Sequence, residues 1–309
     1  MHLCSLEAFI EIVRDVRKQF KFWTIDCAGR EVHSRIKYEI RITNILSVLN
    51  VVITLYASYW YTHPIDDDKE IFYALRFFEE YWPRQKRVLS IIYRATFPLF
   101  AYVMIVHAYQ VIYATQHLRF QAILFIKYVV NIGEQKTKIC DEKLFYDTDY
   151  QKIVAKRLKF CIIRHQEFLA FHRLKLKEIR NFIVTFSILG GLLLFSFGLH
   201  LLIGKFHYEH YVRFGVGAFA AVFTFGALIL AGQSIEVQAA NVVHSCNSIK
   251  WYTFNEKNKR IYRLMLINIM QPCKLKFSEN LSVNYSLGVS IVRGIFSILS
   301  VVAKVYFDL

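Results

Sequence analysis

The sequence predicts an all-α protein, a polytopic bundle of membrane helices, and three observations lead there. Hydrophobic residues make up 55% of the 309 positions, whereas a soluble domain is about 45–50% apolar. Apolar runs of about 20 residues recur, each close to the length that crosses a ~30 Å hydrocarbon core. Only four prolines and twelve glycines interrupt the chain, which favours long helices. The net charge of +15 is spread between the apolar runs, so it fits membrane-flanking charge better than nucleic-acid binding.

We expect five membrane spans, and an odd number places the two chain ends on opposite sides of the bilayer. Residues 1–37 are amphipathic and charged, so a helical surface segment is expected there rather than a signal peptide. Residues 1–309 are predicted to form a single transmembrane domain. The predicted spans are residues 42–61, 95–114, 182–203, 214–231 and 281–303.

Basic residues set the expected orientation, because Lys and Arg near span ends prefer the cytoplasmic side. The segment 119–180 carries fourteen of them, whereas the loop 204–212 carries only Lys205. The N-terminus is therefore predicted to be cytoplasmic and the C-terminus extracellular, in a multi-pass protein of the plasma membrane. The loop 62–94 opposes this assignment with six basic residues, although it also holds six acidic ones. All six cysteines fall on the predicted cytoplasmic side, where reduced thiols are expected.

Long helices are predicted to continue beyond the bilayer. No glycine or proline occurs between Tyr150 and Leu189, so one helix is expected to run into the third span, and the second span is expected to continue towards Val130. Apolar residues recur at steps of three and four both here and after the fourth span, which indicates helical faces. These faces are expected to pack on each other or on neighbouring subunits, and the sequence leaves both open. They comprise Val154, Leu158, Cys161, Ile162, Phe168, Leu169, Leu176 and Ile179, then Ile235, Ala239, Val242 and Val243.

Polar residues in the last span are the sharpest functional clue. Arg293 lies mid-span, and steps of four, three and four place Ser297, Ser300 and Lys304 near the same stripe. A polar stripe on a membrane helix is expected to face a partner or water. The alternative is burial against other spans of the same chain, or snorkelling of the long side chains.

No catalytic or metal-binding pattern occurs in the sequence. It has no Gly-x-Ser-x-Gly, no phosphate-binding loop and no His-Glu-x-x-His, and its cysteines lack close ligand spacing. Neither an enzyme nor a cofactor or metal site is therefore expected. Gly215, Gly217 and Ala220 match a dinucleotide-binding pattern formally, but they lie inside an apolar span. These glycines and Gly190-Gly191 are expected to let helices pack closely.

Short motifs occur in a fixed order along the chain. They are His117-Leu118-Arg119-Phe120-Gln121, His165-Gln166, Gly232-Gln233 with Ile235, Trp251-Tyr252, and Gln271-Pro272 ahead of the last helix. This ordered set resembles the insect odorant receptor family. That family has seven spans and a cytoplasmic N-terminus, and this chain resembles its third to seventh spans. Residues 1–40 resemble the loop before the third span, so the first two spans are expected to be missing, through a partial gene model or a real truncation.

The resemblance implies an odorant receptor subunit that binds small volatile ligands in the outer half of the bundle. It also implies a heteromeric cation channel, gated through the last helix, with the shared olfactory co-receptor subunit as partner in what is expected to be a tetramer. The lipid bilayer is the other expected partner, and nucleic acid is not one. On this interpretation the residues lining the pore are Arg293, Ser297, Ser300, Val301 and Lys304, with Val301 a candidate for a hydrophobic gate.

A ligand pocket is also implied by the resemblance, and volatile ligands call for aromatic walls with a few polar groups. The candidate ligand-binding residues are Tyr56, Phe97, Met104 and His107. The alternative for His107 is a hydrogen bond to another helix. The neighbouring Tyr59 and Trp60 are instead expected to be anchors at the membrane interface.

Other interpretations are weighed against this one. Loss of two spans favours a non-functional truncated receptor or a membrane scaffold. Gustatory receptors share the architecture, but their usual Thr-Tyr…Gln-Phe pattern is absent from residues 289–296. G-protein-coupled receptors have an outside N-terminus, and their signature motifs are absent. No inverted repeat indicates a transporter.

Overall fold

The computed structural model describes residues 29–66, 68–134, 141–203, 208–271, 274–276 and 281–307. Apart from one isolated bridge between Lys276 and Ser282, these residues contain no strand, so the all-α prediction is confirmed. Short 3-10 turns lie at Asn131–Gly133 and Trp251–Thr253. The α-helices of the described residues are α1 (Arg30–Thr62), α2 (Asp68–Ile71), α3 (Tyr73–Tyr81), α4 (Lys86–Val130), α5 (Asp141–Tyr146), α6 (Thr148–Ile203), α7 (Tyr208–Asn247), α8 (Glu256–Ile269) and α9 (Tyr285–Phe307).

Some sequence expectations concern residues outside these ranges. The surface segment predicted within residues 1–28 is one of them. The others are the positions of Cys4, Cys27, Cys140 and Cys273, of Pro272 in the Gln271-Pro272 motif, and of residues 204–207 with Lys205 in the loop 204–212.

Four helices of the described chain are long and apolar enough to cross a membrane. They are Arg30–Thr62, Lys86–Gly133, Tyr208–Asn247 and Tyr285–Val305, and they overlap the first, second, fourth and fifth predicted spans. The third predicted span lies in α6, where the apolar stretch among the described side chains is Ile188–Leu199.

The prediction of long continuous helices is confirmed. α6 runs without a break for 56 residues, as expected from a stretch that lacks helix-breaking residues. α4 is 45 residues long and ends at Val130, the end point that its apolar pattern indicated. α4 also contains Pro98 in its interior. Because proline has no N–H, the helix lacks one backbone hydrogen bond there.

The chain divides into two compact units. Unit 1 consists of residues 1–39, 112–181 and 230–285, and unit 2 consists of residues 40–111, 182–229 and 286–309. The described parts of each unit have a distinct interior, and they are considered in turn. The expected single domain over residues 1–309 stays a prediction.

Unit 1 has a continuous apolar core, to which α4, α5, α6, α7 and α8 all contribute. The face predicted at Val154, Leu158 and Cys161 is completely buried in it. Of the two alternatives that the sequence left open, the described faces therefore pack on each other within the chain. The buried residues of this core are Ala122, Phe125, Val129, Ile132, Leu144, Tyr150, Val154, Leu158, Cys161, Val242, Cys246, Ile249, Phe254, Tyr262, Met265 and Ile269.

A buried amide on α6 fixes the start of α8 within unit 1. The Gln151 side chain donates to the carbonyls of Leu144 at 2.9 Å and Thr253 at 2.8 Å. Its Oε1 accepts from the Asn255 backbone N–H at 3.0 Å and from Asn258 Nδ2 at 2.8 Å. Asn255 also caps α8, since its side chain accepts from the Asn258 N–H, which satisfies one of the free donors of the first helical turn.

Unit 2 brings α9 against α6 and α7 at two glycines. A Cβ built at Gly198 would lie 2.5 Å from a methyl group of Leu299, and one built at Gly288 would lie 2.6 Å from a methyl group of Ile229. Both glycines therefore permit a close approach of helices, the role that small residues commonly have in membrane bundles. Elsewhere in this unit, the Tyr109 hydroxyl of α4 donates to the Ser47 carbonyl of α1 at 2.7 Å.

Candidate functional site

A cavity of about 310 Å³ lies inside unit 2, at the lower end of the roughly 300–1,000 Å³ typical of small-molecule sites. Five helices form its wall, which is mostly aliphatic and aromatic with a few hydroxyl groups. The lining residues are Thr54, Ala57, Ser58 and Tyr61 of α1, Phe97, Phe100, Ala101, Met104 and Ile105 of α4, Leu189, Gly190, Gly191, Leu193, Leu194 and Phe197 of α6, Gly217, Ala220, Ala221, Thr224 and Phe225 of α7, and Ile291 of α9.

Aromatic rings hold one side of this cavity. The Phe97 ring lies 5.5 Å from the rings of both Tyr61 and Phe72, and 5.4 Å from that of Tyr93. These centroid distances fall in the range of favourable tilted and edge-to-face pairs. Phe97 is thus fixed by neighbours on three sides. Pro98 follows it in α4, so the missing backbone hydrogen bond lies at the level of the cavity.

Two of the wall hydroxyls are bonded to helix carbonyls. Thr54 Oγ1 donates to the Asn50 carbonyl at 2.8 Å. Thr224 Oγ1 lies 2.9 Å from the Ala220 carbonyl and 3.1 Å from Asn50 Oδ1. Hydroxyls that bond the preceding turn of their own helix are common in apolar surroundings, because this pairing reduces the cost of burying them.

The Tyr61 hydroxyl differs from these. Its oxygen is buried, and among the residues that the structure describes it has no hydrogen-bond partner. A Cβ built at Gly217 would lie 2.8 Å from this oxygen and 3.1 Å from the Phe197 ring. All three residues line the cavity, so the Tyr61 side chain belongs to the cavity wall.

A buried ion cluster, consisting of Asp68, Arg94, His210 and Arg213, lies in the same unit. Arg213 is fully buried and Asp68 is 5% exposed. Asp68 pairs with Arg213 through Oδ1 and with Arg94 through Oδ2, each at 2.5 Å. His210 Nδ1 lies 3.9 Å from Asp68 Oδ1, and its Nε2 lies 2.9 Å from the Asp66 carbonyl.

The end of α1 explains why two arginines meet here. The last carbonyls of a helix have no partner within it and carry partial negative charge. Arg213 donates to the carbonyls of Trp60 at 3.0 Å and His63 at 2.7 Å, and Arg94 also donates to His63 at 3.0 Å. The guanidinium of Arg213 lies 5.9 Å from the Tyr61 ring centroid, so the cluster adjoins the cavity wall.

Unit 1 contains a much smaller pocket, of about 50 Å³. Its surroundings are tightly packed, and burial lowers the pKa of His165 to about 4. Burial, with a further contribution from Arg173, lowers the pKa of His172 to about 4. Burial also raises the pKa of the Cys161 thiol to about 12, so these groups are uncharged at neutral pH. The described residues contain no group of three or more His, Cys, Asp or Glu that could hold a metal ion.

The structure brings together two of the four predicted ligand-binding residues. Phe97 and Met104 line the cavity, whereas Tyr56 and His107 do not belong to its described wall. Tyr56 is 52% exposed and meets the Trp60 ring edge-on at 6.4 Å. His107 Nδ1 lies 3.0 Å from the Val103 carbonyl, one turn back in its own helix. A ligand role for any of these residues stays a prediction.

Sequence reasoning missed several wall residues. Tyr61 directly follows Tyr59 and Trp60, which were expected to be anchors at the membrane interface, and it was not itself singled out. Gly190 and Gly191 were expected to be helix-packing sites, but no described atom lies within 4 Å of a Cβ built at either one. They line open space instead. Gly217 fits the packing expectation, since a Cβ there would be in close contact with two aromatic side chains.

The predicted pore-lining residues of α9 lie on exposed surface. Arg293, Ser297, Ser300, Val301 and Lys304 are all exposed, so Arg293 is not buried against other spans of the described chain. The Ser300 hydroxyl donates to the Phe296 carbonyl at 2.8 Å. The structure therefore keeps this stripe available for contacts outside the chain, and its pore-lining role stays a prediction.

By sequence, the chain matches no family model and no curated protein. By structure, it is similar to the insect olfactory receptor OR5 from Machilis hrabei in complex with eugenol. The TM-score is 0.62 at 11% sequence identity, over 95% of this chain and 74% of the receptor chain. A second structure of OR5 gives 0.61 at 10% identity, over 98% and 76%. The chain therefore has the fold of an insect olfactory receptor, as its motifs predicted.

Proposed function

We propose that the chain is an odorant receptor subunit that binds a small, mostly apolar volatile ligand in the cavity of unit 2. The observation that carries the proposal is this cavity, about 310 Å³ in volume and walled by five helices with few polar groups. Sites of this kind exclude water and hold apolar molecules by burial. The fold supports the same conclusion, because OR5, which shares it, was solved in complex with eugenol.

Gating is proposed to pass through α9. Ile291 of this helix contributes to the cavity wall. Two positions on a helix are about 200° apart, so Arg293 lies on nearly the opposite face, where it is exposed. A ligand that prefers one position of α9 shifts the population towards that position. The same movement displaces the stripe that carries Arg293, Ser297 and Ser300.

The channel is proposed to be a hetero-oligomer with the shared olfactory co-receptor subunit, with the N-terminus cytoplasmic and the C-terminus extracellular. Support for a partner comes from the exposed side of α9, where Val292 is 65% exposed and Phe296 is 72% exposed. An epitope tag after Leu309 that is accessible on intact cells agrees with this orientation. Exclusive labelling of a tag before Met1 contradicts it.

The proposal is tested with a substitution that fills part of the cavity and leaves the rest of the bundle unchanged. In Gly191→Leu, the new side chain extends into open space that belongs to the cavity. We expect the half-maximal ligand concentration to rise about tenfold, since overpacking a site typically costs 1–3 kcal/mol. The measurement is the ligand-evoked current in cells that also express the co-receptor subunit, over a panel of volatile ligands.

Gly215→Leu is the matched control. Gly215 is an exposed glycine of α7 with no described atom within 4 Å of a built Cβ, and it does not belong to the described cavity wall. Both variants gain the same helix propensity, and surface expression is measured for both. Equal responses of the two variants, at equal surface expression, contradict binding in this cavity.

A further inference from the structure

We propose that the Tyr61 hydroxyl is the polar recognition group of the cavity, and that the ligands are compact apolar molecules with one hydrogen-bond-accepting oxygen, as in a ketone or an ester. This inference rests on the proposed function and narrows its ligand class. The three observations that carry it are the burial of this hydroxyl, its place at the cavity wall, and the charge beside it.

Burial without a partner is unusual for a hydroxyl group. Most buried polar atoms in proteins are hydrogen-bonded, because an unpaired one loses its bond to water on folding. The Tyr61 oxygen is buried and has no partner among the described residues. By contrast, Thr54 and Thr224 of the same wall are bonded to helix carbonyls. Tyr61 is thus a wall hydroxyl whose bonding capacity the described chain does not use.

The hydroxyl lies beside the cavity. A Cβ at Gly217 would lie 2.8 Å from the Tyr61 oxygen, so this oxygen fills the space that the glycine leaves free. Both residues line the cavity, so a ligand there lies against the side chain that carries the hydroxyl. The Tyr61 ring is held in place by Phe72 at 6.4 Å and Phe97 at 5.5 Å.

The neighbouring charge favours a ligand that carries an acceptor. The Arg213 guanidinium lies 5.9 Å from the Tyr61 ring centroid, and Arg213 is fully buried. A fixed positive charge attracts the partial negative charge of a carbonyl oxygen, and a phenol O–H is a hydrogen-bond donor. A carbonyl oxygen is the acceptor that suits such a donor. A ligand with a charged group is disfavoured, since the rest of the wall is mostly apolar.

The experiment compares two probes of nearly equal shape, 2-octanone and its hydrocarbon isostere 2-methyl-1-octene. Each is titrated into the full chain in lipid nanodiscs, and its dissociation constant is obtained from the concentration dependence of protection against thermal unfolding. The quantity measured is the preference, the dissociation constant of the alkene divided by that of the ketone. Each probe partitions into the lipid to the same extent in every sample. Partitioning therefore changes the preference by the same factor in all variants, and this factor cancels when the variants are compared.

In Tyr61→Phe, the preference for the ketone is expected to fall about fivefold, the factor that corresponds to one net hydrogen bond. The affinity for the alkene is expected to change by less than about twofold, since the ring and its packing are kept. Tyr59→Phe removes the same group two residues away. Tyr59 is 61% exposed and does not belong to the described cavity wall. The Tyr59→Phe variant should therefore show the same preference for the ketone as the unmodified chain.

The possible results separate the two proposals. An unchanged preference in Tyr61→Phe, with both probes still bound and Gly191→Leu still impaired, overturns the role of Tyr61 and leaves the cavity function standing. Equal affinity of the unmodified chain for the two probes also overturns the role of Tyr61, and it also leaves the cavity function standing. Failure of both probes to protect the unmodified chain counts against the cavity function itself, and against this inference with it.

Discussion

The two units of the chain contain buried polar groups of different kinds. In unit 1 the buried amide of Gln151 has four hydrogen-bond partners within the chain, and the nearby pocket measures only about 50 Å³. In unit 2 a fully buried Arg213 adjoins a cavity of about 310 Å³, whose Tyr61 hydroxyl lacks a described partner.

The difference shows how one helical chain combines a fixed part with an adaptable one. A filled apolar core, such as the one around Gln151, has one well-defined packing. A cavity leaves its lining with fewer contacts, which lowers stability but creates room for a ligand. The ion cluster stabilises unit 2 at one place, beside the cavity, and leaves the cavity itself open.

The largest effect is expected from breaking the ion cluster. Arg213→Met leaves Asp68 buried with only part of its compensating charge. It also removes the donor to the Trp60 carbonyl and one of the two donors to the His63 carbonyl. Removal of one partner from a buried ion pair typically costs about 3–5 kcal/mol. The measurement is thermal unfolding of the purified chain in detergent.

Arg76→Met is the control for that experiment, because Arg76 is exposed on α3 in the same unit. It should change the free energy of unfolding by about 0.5 kcal/mol or less. If both variants unfold at the same temperature, the cluster does not hold unit 2 together and the contrast between the units is lost.

A smaller loss is expected in unit 1 from Gln151→Leu. This substitution leaves the Thr253 carbonyl and the Asn255 backbone N–H without their side-chain partner. One or two unsatisfied groups give a loss of about 2–3 kcal/mol in unfolding free energy. Gln166→Leu, at an exposed position of the same helix, is the control. Because the cavity lies in unit 2, the folded fraction of Gln151→Leu is expected to bind cavity ligands with unchanged affinity. A loss of that affinity would contradict the contrast between the filled core of unit 1 and the cavity of unit 2.

The smallest effect is a dependence of unit 1 on pH. His165 and His172 have pKa values of about 4 in the folded chain, against about 6.5 in an unfolded one. The unfolded state therefore binds more protons than the folded state at acidic pH. The contribution of the neutral histidines to the free energy of unfolding is fully present above pH 6.5, and it is lost as pH falls from about 6.5 to 4. At pH 5 the loss is on the order of 1–2 kcal/mol for each histidine.

Replacement of one histidine tests this mechanism. The His165 ring lies among aromatic neighbours, Phe125 at 6.0 Å and Phe168 at 6.5 Å, so His165→Phe keeps the packing and removes the titrating group. The difference in unfolding temperature between pH 7.5 and pH 5 should fall by about half. His244→Phe alters an exposed histidine and should leave that difference unchanged. Identical pH dependence in His165→Phe would contradict the assignment.

The sequence predicted the features that follow from local periodicity. The absence of glycine and proline after Tyr150 was enough to predict one continuous helix. The steps of three and four at Val154, Leu158 and Cys161 identified a face that is fully buried. Phe97 and Met104 were chosen because the family resemblance implies a ligand pocket in the outer half of the bundle, and both line the cavity.

The remaining features depend on contacts between distant residues. Asp68 is one of six acidic residues in the loop 62–94, and nothing local distinguishes the one that becomes buried. Arg213 was visible as a lone charge in an apolar stretch, a signal of a buried partner in membrane proteins, but that partner lies 145 positions earlier. Gly190 and Gly191 look like packing glycines in any window of sequence, since the open space beside them is created by other helices.

The ion cluster has a consequence for how such chains diversify. A single replacement among Asp68, Arg94 and Arg213 leaves an uncompensated charge in the interior, whereas a joint exchange for apolar residues of similar volume can be neutral or even favourable. Lineages that depart from this arrangement are therefore expected to change all three positions in concert. In an alignment of descendants, positions 68, 94 and 213 should covary, while the surrounding apolar wall drifts one residue at a time.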